Sequence, residues 1–227
     1  MPIINLVYEA PSGWWGWQPW ANTLFYLPLT SNANDTSWNG RNGTTANVTF
    51  SSNWAYCIWD LSAWNNGTIT TATFTMWTTY TINLWVKAEQ TLSWNHQIDL
   101  QRRWSWPARY VLFYANTNWF TCILWNGSNQ NWNSITASFS MWTTWHNVCL
   151  TRSWSNVYIY ADGTLLTSWN WTYAVDPTYF NIGNDPWSDA EYTASSYIKD
   201  YIMENQVRSA QDIADYYNQT KWNYWIS

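Results

Sequence analysis

From about residue 21 onward, short apolar runs alternate with clusters of Asn, Ser, Thr, Asp and Gly, and several runs alternate apolar and polar residues with period two. Ile82, Leu84 and Val86 share one face, while Asn83 and Trp85 take the other. Val157 and Ile159 oppose Tyr158 and Tyr160, and Val111 and Phe113 oppose Tyr110, Leu112 and Tyr114. The pattern predicts strands at Thr23–Leu29, Ala46–Phe50, Trp54–Ile58, Ile69–Phe74, Tyr80–Lys87, Gln97–Gln101, Arg109–Ala115, Phe120–Trp125, Ser134–Phe139, Trp145–Thr151, Asn156–Tyr160, Tyr179–Ile182 and Tyr197–Glu204. Asp162-Gly163, between Asn156–Tyr160 and Thr164-Leu165-Leu166, is the strongest hairpin signal. One helix is predicted near the end. Ser209 caps it, Asp212 answers three residues on, and Ile213, Tyr216 and Tyr217 form a narrow apolar stripe that should lie against the strands and close one end of them. Many short strands at regular spacing read as a sandwich or barrel.

A length of 227 residues fits one large all-β domain or two small ones. A formal charge of −5 with 10% charged residues excludes a nucleic-acid partner, which needs a basic face to displace counterions. No apolar run approaches the ~18 residues of a membrane span, and Met1–Ala10 lacks the basic and apolar regions of a secretory signal. Cys57, Cys122 and Cys149 show no C-x-x-C spacing and fall inside predicted strands, so they read as small buried hydrophobes.

Composition changes the picture at one point: the chain has 24 Trp and only 8 Gly. Most of the Trp sit beside Asn, Ser, Thr or Gly, as in Ser37-Trp38-Asn39-Gly40 and Ser153-Trp154-Ser155, where turns demand the positive φ that glycine supplies. Two readings stand. Either UGA codons that specify glycine are written here as Trp, or the rings are genuine and serve as stacking platforms. Under the first, residues 1–20 become a flexible glycine-rich leader before a domain at 21–227. Trp85 and Trp145, inside strand patterns, remain Trp in both. The fragment Met76-Trp77-Thr78-Thr79 recurs as Met141-Trp142-Thr143-Thr144 and reads as two similar turns entering two different sheets.

The run Trp145-His-Asn-Val-Cys-Leu-Thr-Arg-Ser-Trp-Ser-Asn-Val-Tyr-Ile-Tyr-Ala-Asp-Gly-Thr-Leu-Leu166 resembles the central hairpin of laminin-G-like, concanavalin-A-like jelly-roll domains. Asn181-Ile182-Gly183-Asn184 resembles the family's later Ile-Gly motif, Tyr197–Met203 its closing strand, and Ser209–Tyr217 its terminal helix. Leu27-Pro28-Leu29 with Asn34–Gly40 resembles its opening strand and loop. The resemblance covers residues 21 to 221. It implies an all-β, two-sheet antiparallel jelly-roll β-sandwich with one short C-terminal helix.

The resemblance also implies a function class without specifying a ligand. The expectation is a non-enzymatic module that binds a glycan or a surface protein, at a cell surface or on a virion. The alternative is a phage structural protein, such as a fibre or capsid decoration, that meets other virion proteins. The related glucanases use paired carboxylates, and the nearest approach here is Asp200 and Glu204, four apart on one strand. The candidate ligand contacts are the basic cluster of Arg102 and Arg103 and the strand aromatics Tyr110, Tyr114, Tyr158 and Tyr160. Some relatives hold a structural calcium near the opening loop, which would carry over to Asp35 and Asp200, with Lys199 departing from the family pattern.

Overall fold

The computed structural model describes residues 22–58, 67–71, 78–89, 96–103, 109–115, 119–125, 132–140, 143–171, 179–183 and 195–224. The leader assigned to residues 1–20 lies outside the described residues. The strands in chain order are β1 Thr23–Leu27, β2 Gly43–Ala46, β3 Val48–Phe50, β4 Ala55–Cys57, β5 Thr68–Thr71, β6 Thr79–Ala88, β7 His96–Arg103 and β8 Arg109–Ala115. They continue with β9 Trp119–Trp125, β10 Trp132–Ser138, β11 His146–Ser153, β12 Asn156–Ala161, β13 Thr164–Asn170, β14 Tyr179–Gly183 and β15 Ser196–Glu204. Helix α1, Ala210–Thr220, and a 3₁₀ turn at Lys221–Asn223 follow.

These strands build two antiparallel sheets. The eight-stranded sheet runs β13-β12-β11-β6-β15-β4-β3, with β1 also pairing β15; the seven-stranded sheet runs β10-β9-β8-β7-β14-β5-β2. Between them lies the core, supplied by alternate residues: Ile82, Leu84 and Val86 from β6, Val148 and Leu150 from β11, Val157 and Ile159 from β12, and Ile69 and Ile182 from the facing sheet, all at most 1% exposed. This is the jelly-roll sandwich that the strand pattern and the resemblance imply. Cys57, Cys122 and Cys149 are buried and form no disulfide with one another. None of the described helices is long and apolar enough to cross a membrane.

Three details depart from the sequence reading. The strand expected at Ala46–Phe50 is two strands, because Asn47 adopts φ 51° and the chain changes sheets there: β2 pairs in one sheet and β3 in the other. The two Met-Trp-Thr-Thr fragments lead into neighbours in one sheet, since β6 and β11 pair directly from His146 opposite Val86 to Ser153 opposite Thr79. Finally, α1 lies on the outer surface of the eight-stranded sheet, where Ile213 packs on Cys149 and Tyr160. Its start is as expected: the Ser209 hydroxyl accepts from the Asp212 amide at 3.1 Å, and the Asp212 carboxylate accepts from the Ser209 amide at 3.0 Å.

Both tight hairpins of this sheet use positive φ. Asp162 and Gly163, at φ 49° and 76°, join β12 to β13 as the Asp-Gly signal predicts. Trp154 and Ser155 join β11 to β12, with Ser153 opposite Asn156, and Trp154 takes φ 55° with its indole 73% exposed. A positive φ at the first central position of a two-residue loop ordinarily selects glycine. The turn is nonetheless pinned: the Trp154 amide donates to the Thr78 carbonyl at 2.9 Å, and Arg152 Nε donates to the Trp154 carbonyl at 2.8 Å. A side chain in this region costs about 1 kcal/mol or more relative to glycine, and an exposed indole returns little of it. Trp154→Gly is therefore expected to stabilise the protein by about 1 kcal/mol, measured as a raised urea midpoint with unchanged slope. A lower midpoint would contradict this account of the turn.

Candidate functional site

The outer face of the eight-stranded sheet is divided in two. One part is covered by the C-terminal segment. Trp85, on the outward side of β6, is nevertheless fully buried because Tyr224 stacks on it at 3.9 Å between ring centres and Tyr217 at 5.7 Å. Glu204 at the end of β15 receives Arg208 in a bidentate pair at 2.5 Å on each oxygen. The Thr81 hydroxyl donates to the Gln206 carbonyl and accepts from the Arg208 amide. These contacts fix the entry of α1 over the sheet.

Beside the helix no described residue covers the face, and its outward residues are aromatic and cationic. Ala55 and Cys57 point to the core, so Trp54 and Tyr56 point out; Ile198 points in, so Tyr197 and Lys199 point out. Backbone register brings Thr49, Tyr56, Tyr197 and Lys87 into one row across β3, β4, β15 and β6. Trp145, just ahead of His146, extends it beside β11. The rings touch one another: Tyr56 and Tyr197 at 4.8 Å, Trp54 edge-on to Tyr197 at 5.9 Å, Trp54 and Trp145 at 6.4 Å, and Trp145 and Tyr224 at 5.4 Å. Lys87 Nζ lies 4.7 Å from the Tyr197 ring centre and 5.9 Å from that of Trp145, and Lys199 Nζ lies 4.9 Å from that of Tyr224. Trp54, Tyr56, Lys87, Trp145, Tyr197 and Lys199 are all half-buried. Burial raises the phenol pKa of Tyr56 and Tyr197, and the nearby Glu89 charge raises both further. With strands about 4.8 Å apart, Tyr56 to Trp145 spans about 14 Å, the dimension of a short oligosaccharide. Half-exposed ring faces can stack on the apolar faces of sugars, and the ammonium groups and Glu89 can bond their polar substituents.

The residues singled out from the sequence fall in different places. Arg102 and Arg103 on β7 and Tyr110 and Tyr114 on β8 belong to the seven-stranded sheet, with Arg102 opposite Tyr110 and Gln97 opposite Tyr114. Tyr158 and Tyr160 belong to the other sheet, so the six do not form one site. Tyr160 is 5% exposed and packs with Cys149 against Ile213, beneath α1, with Tyr158 half-buried at its margin. His146 is structural in form: Nδ1 lies 2.8 Å from the Asp162 carboxylate and Nε2 lies 3.1 Å from the Thr144 hydroxyl. The outward row was missed because its residues lie on strands far apart in sequence. Its only local signal is the i, i+2 repeat of Trp85-x-Lys87 and Tyr197-x-Lys199.

Calcium does not fit the two acids assigned to it. Asp35 Oδ1 accepts from the amides of Tyr26 and Ser37 at 2.9 and 2.8 Å, and Oδ2 accepts from the Ser37 hydroxyl and the Arg41 amide at 2.9 and 2.7 Å. Its oxygens are occupied by donors that shape the loop, whereas a calcium ion needs six or more oxygens turned towards it. Asp200, at φ 49° in a bulge of β15, accepts from the hydroxyls of Tyr26 and Tyr224. Among the described residues no three His, Cys, Asp or Glu side chains are grouped to hold a metal. Asp200 and Glu204, the sequence's nearest approach to a carboxylate pair, are thus each bound into the scaffold.

A family model described as the concanavalin A-like lectin/glucanases superfamily matches residues 61–214. No curated protein sequence matches the chain. Among solved structures, the botulinum neurotoxin type G receptor binding domain aligns with a TM-score of 0.68 at 17% identity, over 87% of this chain and 51% of that one. The binding domain of botulinum neurotoxin serotype D gives 0.68 at 16% identity, over 87% and 51%. A structure of botulinum neurotoxin type C, whose route into the cell is described as dependent on interaction with two ganglioside molecules, gives 0.69 at 14% identity, over 87% and 51%. The chain thus spans about half the length of these structures, and at such identities the likeness is one of fold.

Asp200 gives the site a pH signature. Burial raises its pKa above the ordinary 3.8, against the lowering effects of Tyr224, Lys199 and Tyr26. The folded chain therefore holds this proton more tightly than the unfolded chain does. Its contribution to stability is complete below the ordinary value and is lost as pH rises through the raised one. As pH rises above about 4, Asp200→Asn is expected to show a shallower loss of Tm than the parent, by thermal denaturation. Parallel Tm curves for the two proteins would exclude this role.

Proposed function

The chain belongs to the concanavalin A-like lectin/glucanases superfamily, and from that premise we propose that it is a recognition module, without catalysis, that binds a glycan at a cell or particle surface through the open half of its eight-stranded sheet. The observation that carries the reading is the in-register row Tyr56, Tyr197 and Lys87 with Trp145 at its end. Rings packed on one another at 4.8–6.4 Å leave flat, half-exposed faces beside hydrogen-bonding groups, the combination that sugar rings require. The receptor-binding names of the toxin domains and the ganglioside dependence described for type C support the same reading by likeness of fold. A surface protein is the other ligand class for this face. A glycan array probed with the intact chain is expected to give specific hits. Tyr197→Ala is expected to weaken them about tenfold, for loss of about 1.4 kcal/mol of stacking, while Tyr158→Ala leaves them unchanged. An array without hits would remove the glycan reading.

A second reading concerns setting. The Trp154 turn, which suits glycine, favours a genetic code in which UGA specifies glycine, as some bacteria and their viruses use, and with it a phage structural role such as a fibre or capsid decoration. In that case Trp54 is glycine in the protein as made, while Tyr56, Tyr197, Lys87 and Trp145 of the row stand unchanged. The coding DNA is expected to carry UGA at Trp38 and Trp154 and UGG at Trp85 and Trp145. Peptide mass spectrometry of the protein from its natural host would then read glycine at residue 154. UGG codons throughout would end this reading and leave the glycan site as drawn.

A further inference from the structure

Resting on the glycan reading, we infer that the ligand is an anionic glycan, one carrying a carboxylate, held through Lys87 and Lys199. The arrangement of these two lysines carries the inference. Two successive outward positions on β6 are Trp85 and Lys87, and two on β15 are Tyr197 and Lys199. The strands pair Lys87 with Tyr197 and Trp85 with Lys199. Rings and cations therefore alternate along both strands and across them, and the two lysines are diagonal neighbours, about 7–8 Å apart at the backbone. Two of the nine basic side chains of a chain with charge −5 thus converge on one aromatic surface.

Their stems are held while their heads keep bonding capacity. Each ammonium rests on a ring face, Lys87 on Tyr197 and Trp145 and Lys199 on Tyr224. A ring face occupies the charge without consuming its three N–H donors in directional bonds. The neighbouring acids do not neutralise the pair from the solvent side. Asp200, whose charge acts on Lys199, accepts from the hydroxyls of Tyr26 and Tyr224. Glu89 stands two residues beyond Lys87, on the side away from Lys199, where its charge acts on Tyr56 and Tyr197. Glu89 can accept sugar hydroxyls and repels an anion, so a carboxylate is drawn to the Lys199 side of Lys87. A neutral sugar would use the rings and Glu89 and gain nothing from the two positive charges.

The test uses the intact chain and a matched panel of neutral oligosaccharides and the same oligosaccharides carrying a terminal sialic or uronic acid. The acidic members are expected to bind about tenfold more tightly at low salt, with the preference shrinking as ionic strength rises. In the Lys87→Gln, Lys199→Gln double variant the acidic members are expected to fall to the affinity of the neutral ones, so that the preference vanishes, while the chain still unfolds cooperatively. The Lys87→Arg variant, which keeps the charge, is expected to keep the preference. Equal binding of acidic and neutral members, or a preference that survives the double Gln variant, would overturn this inference and leave the glycan reading intact. Binding to no member of the panel would overturn both.

Discussion

Trp85 is the contact around which the outer surface of the sandwich is organised. Strand alternation places it on the face opposite Leu84 and Val86, where a single sheet would leave it in water. It has no exposed surface because Tyr224 and Tyr217 close over it. Truncating an aromatic side chain so deeply packed costs about 3–5 kcal/mol, so this stack sets where Tyr217 and Tyr224 come to rest. The aromatic row borrows one wall from it: Tyr224 stands beside Trp145 and under Lys199 only because it lies on Trp85.

The same docking explains why some outward aromatics form scaffold and others form surface. Tyr160 faces outward on β12 but lies beneath Ile213 of α1, whereas Tyr197 faces outward on β15 beyond the reach of the helix. The helix is tied down by groups that would otherwise be exposed or costly to bury. Glu204 and Arg208 satisfy each other with two bonds, and Thr81 both donates to and accepts from the connection into the helix. Asp200 draws Tyr26 and Tyr224 together from two distant parts of the chain. Polar groups therefore fix the edge of the site, and rings form its floor.

Much of the fold could be read from the chain because its signals are local. The period of two in Tyr80–Lys87 and Asn156–Tyr160, the Asp162-Gly163 turn and the Ser209–Asp212 cap each depend on a few adjacent residues. The break at Asn47 was not legible, since a sheet change needs only one residue at positive φ and no marker beyond Asn itself. The site was less legible still. Its members come from β4, β6, β15 and the approach to β11, and only cross-strand register makes Tyr56, Tyr197 and Lys87 neighbours. The six residues singled out as a basic cluster and as strand aromatics divided between two sheets because position in sequence does not report which sheet a strand joins.

The position of β15 has a consequence for how the molecule assembles. The last of the described strands lies inside the larger sheet, bonded to β6, to β4 and to β1, the first of them. No ribosome-bound fragment lacking it can complete that layer, so closure waits until the chain has been made through Glu204. Contacts between such remote segments make for slow, topology-limited folding. Until β15 arrives, the unpaired edges of β6 and β4 are open to strands of other chains, and synthesis at high concentration favours that competitor.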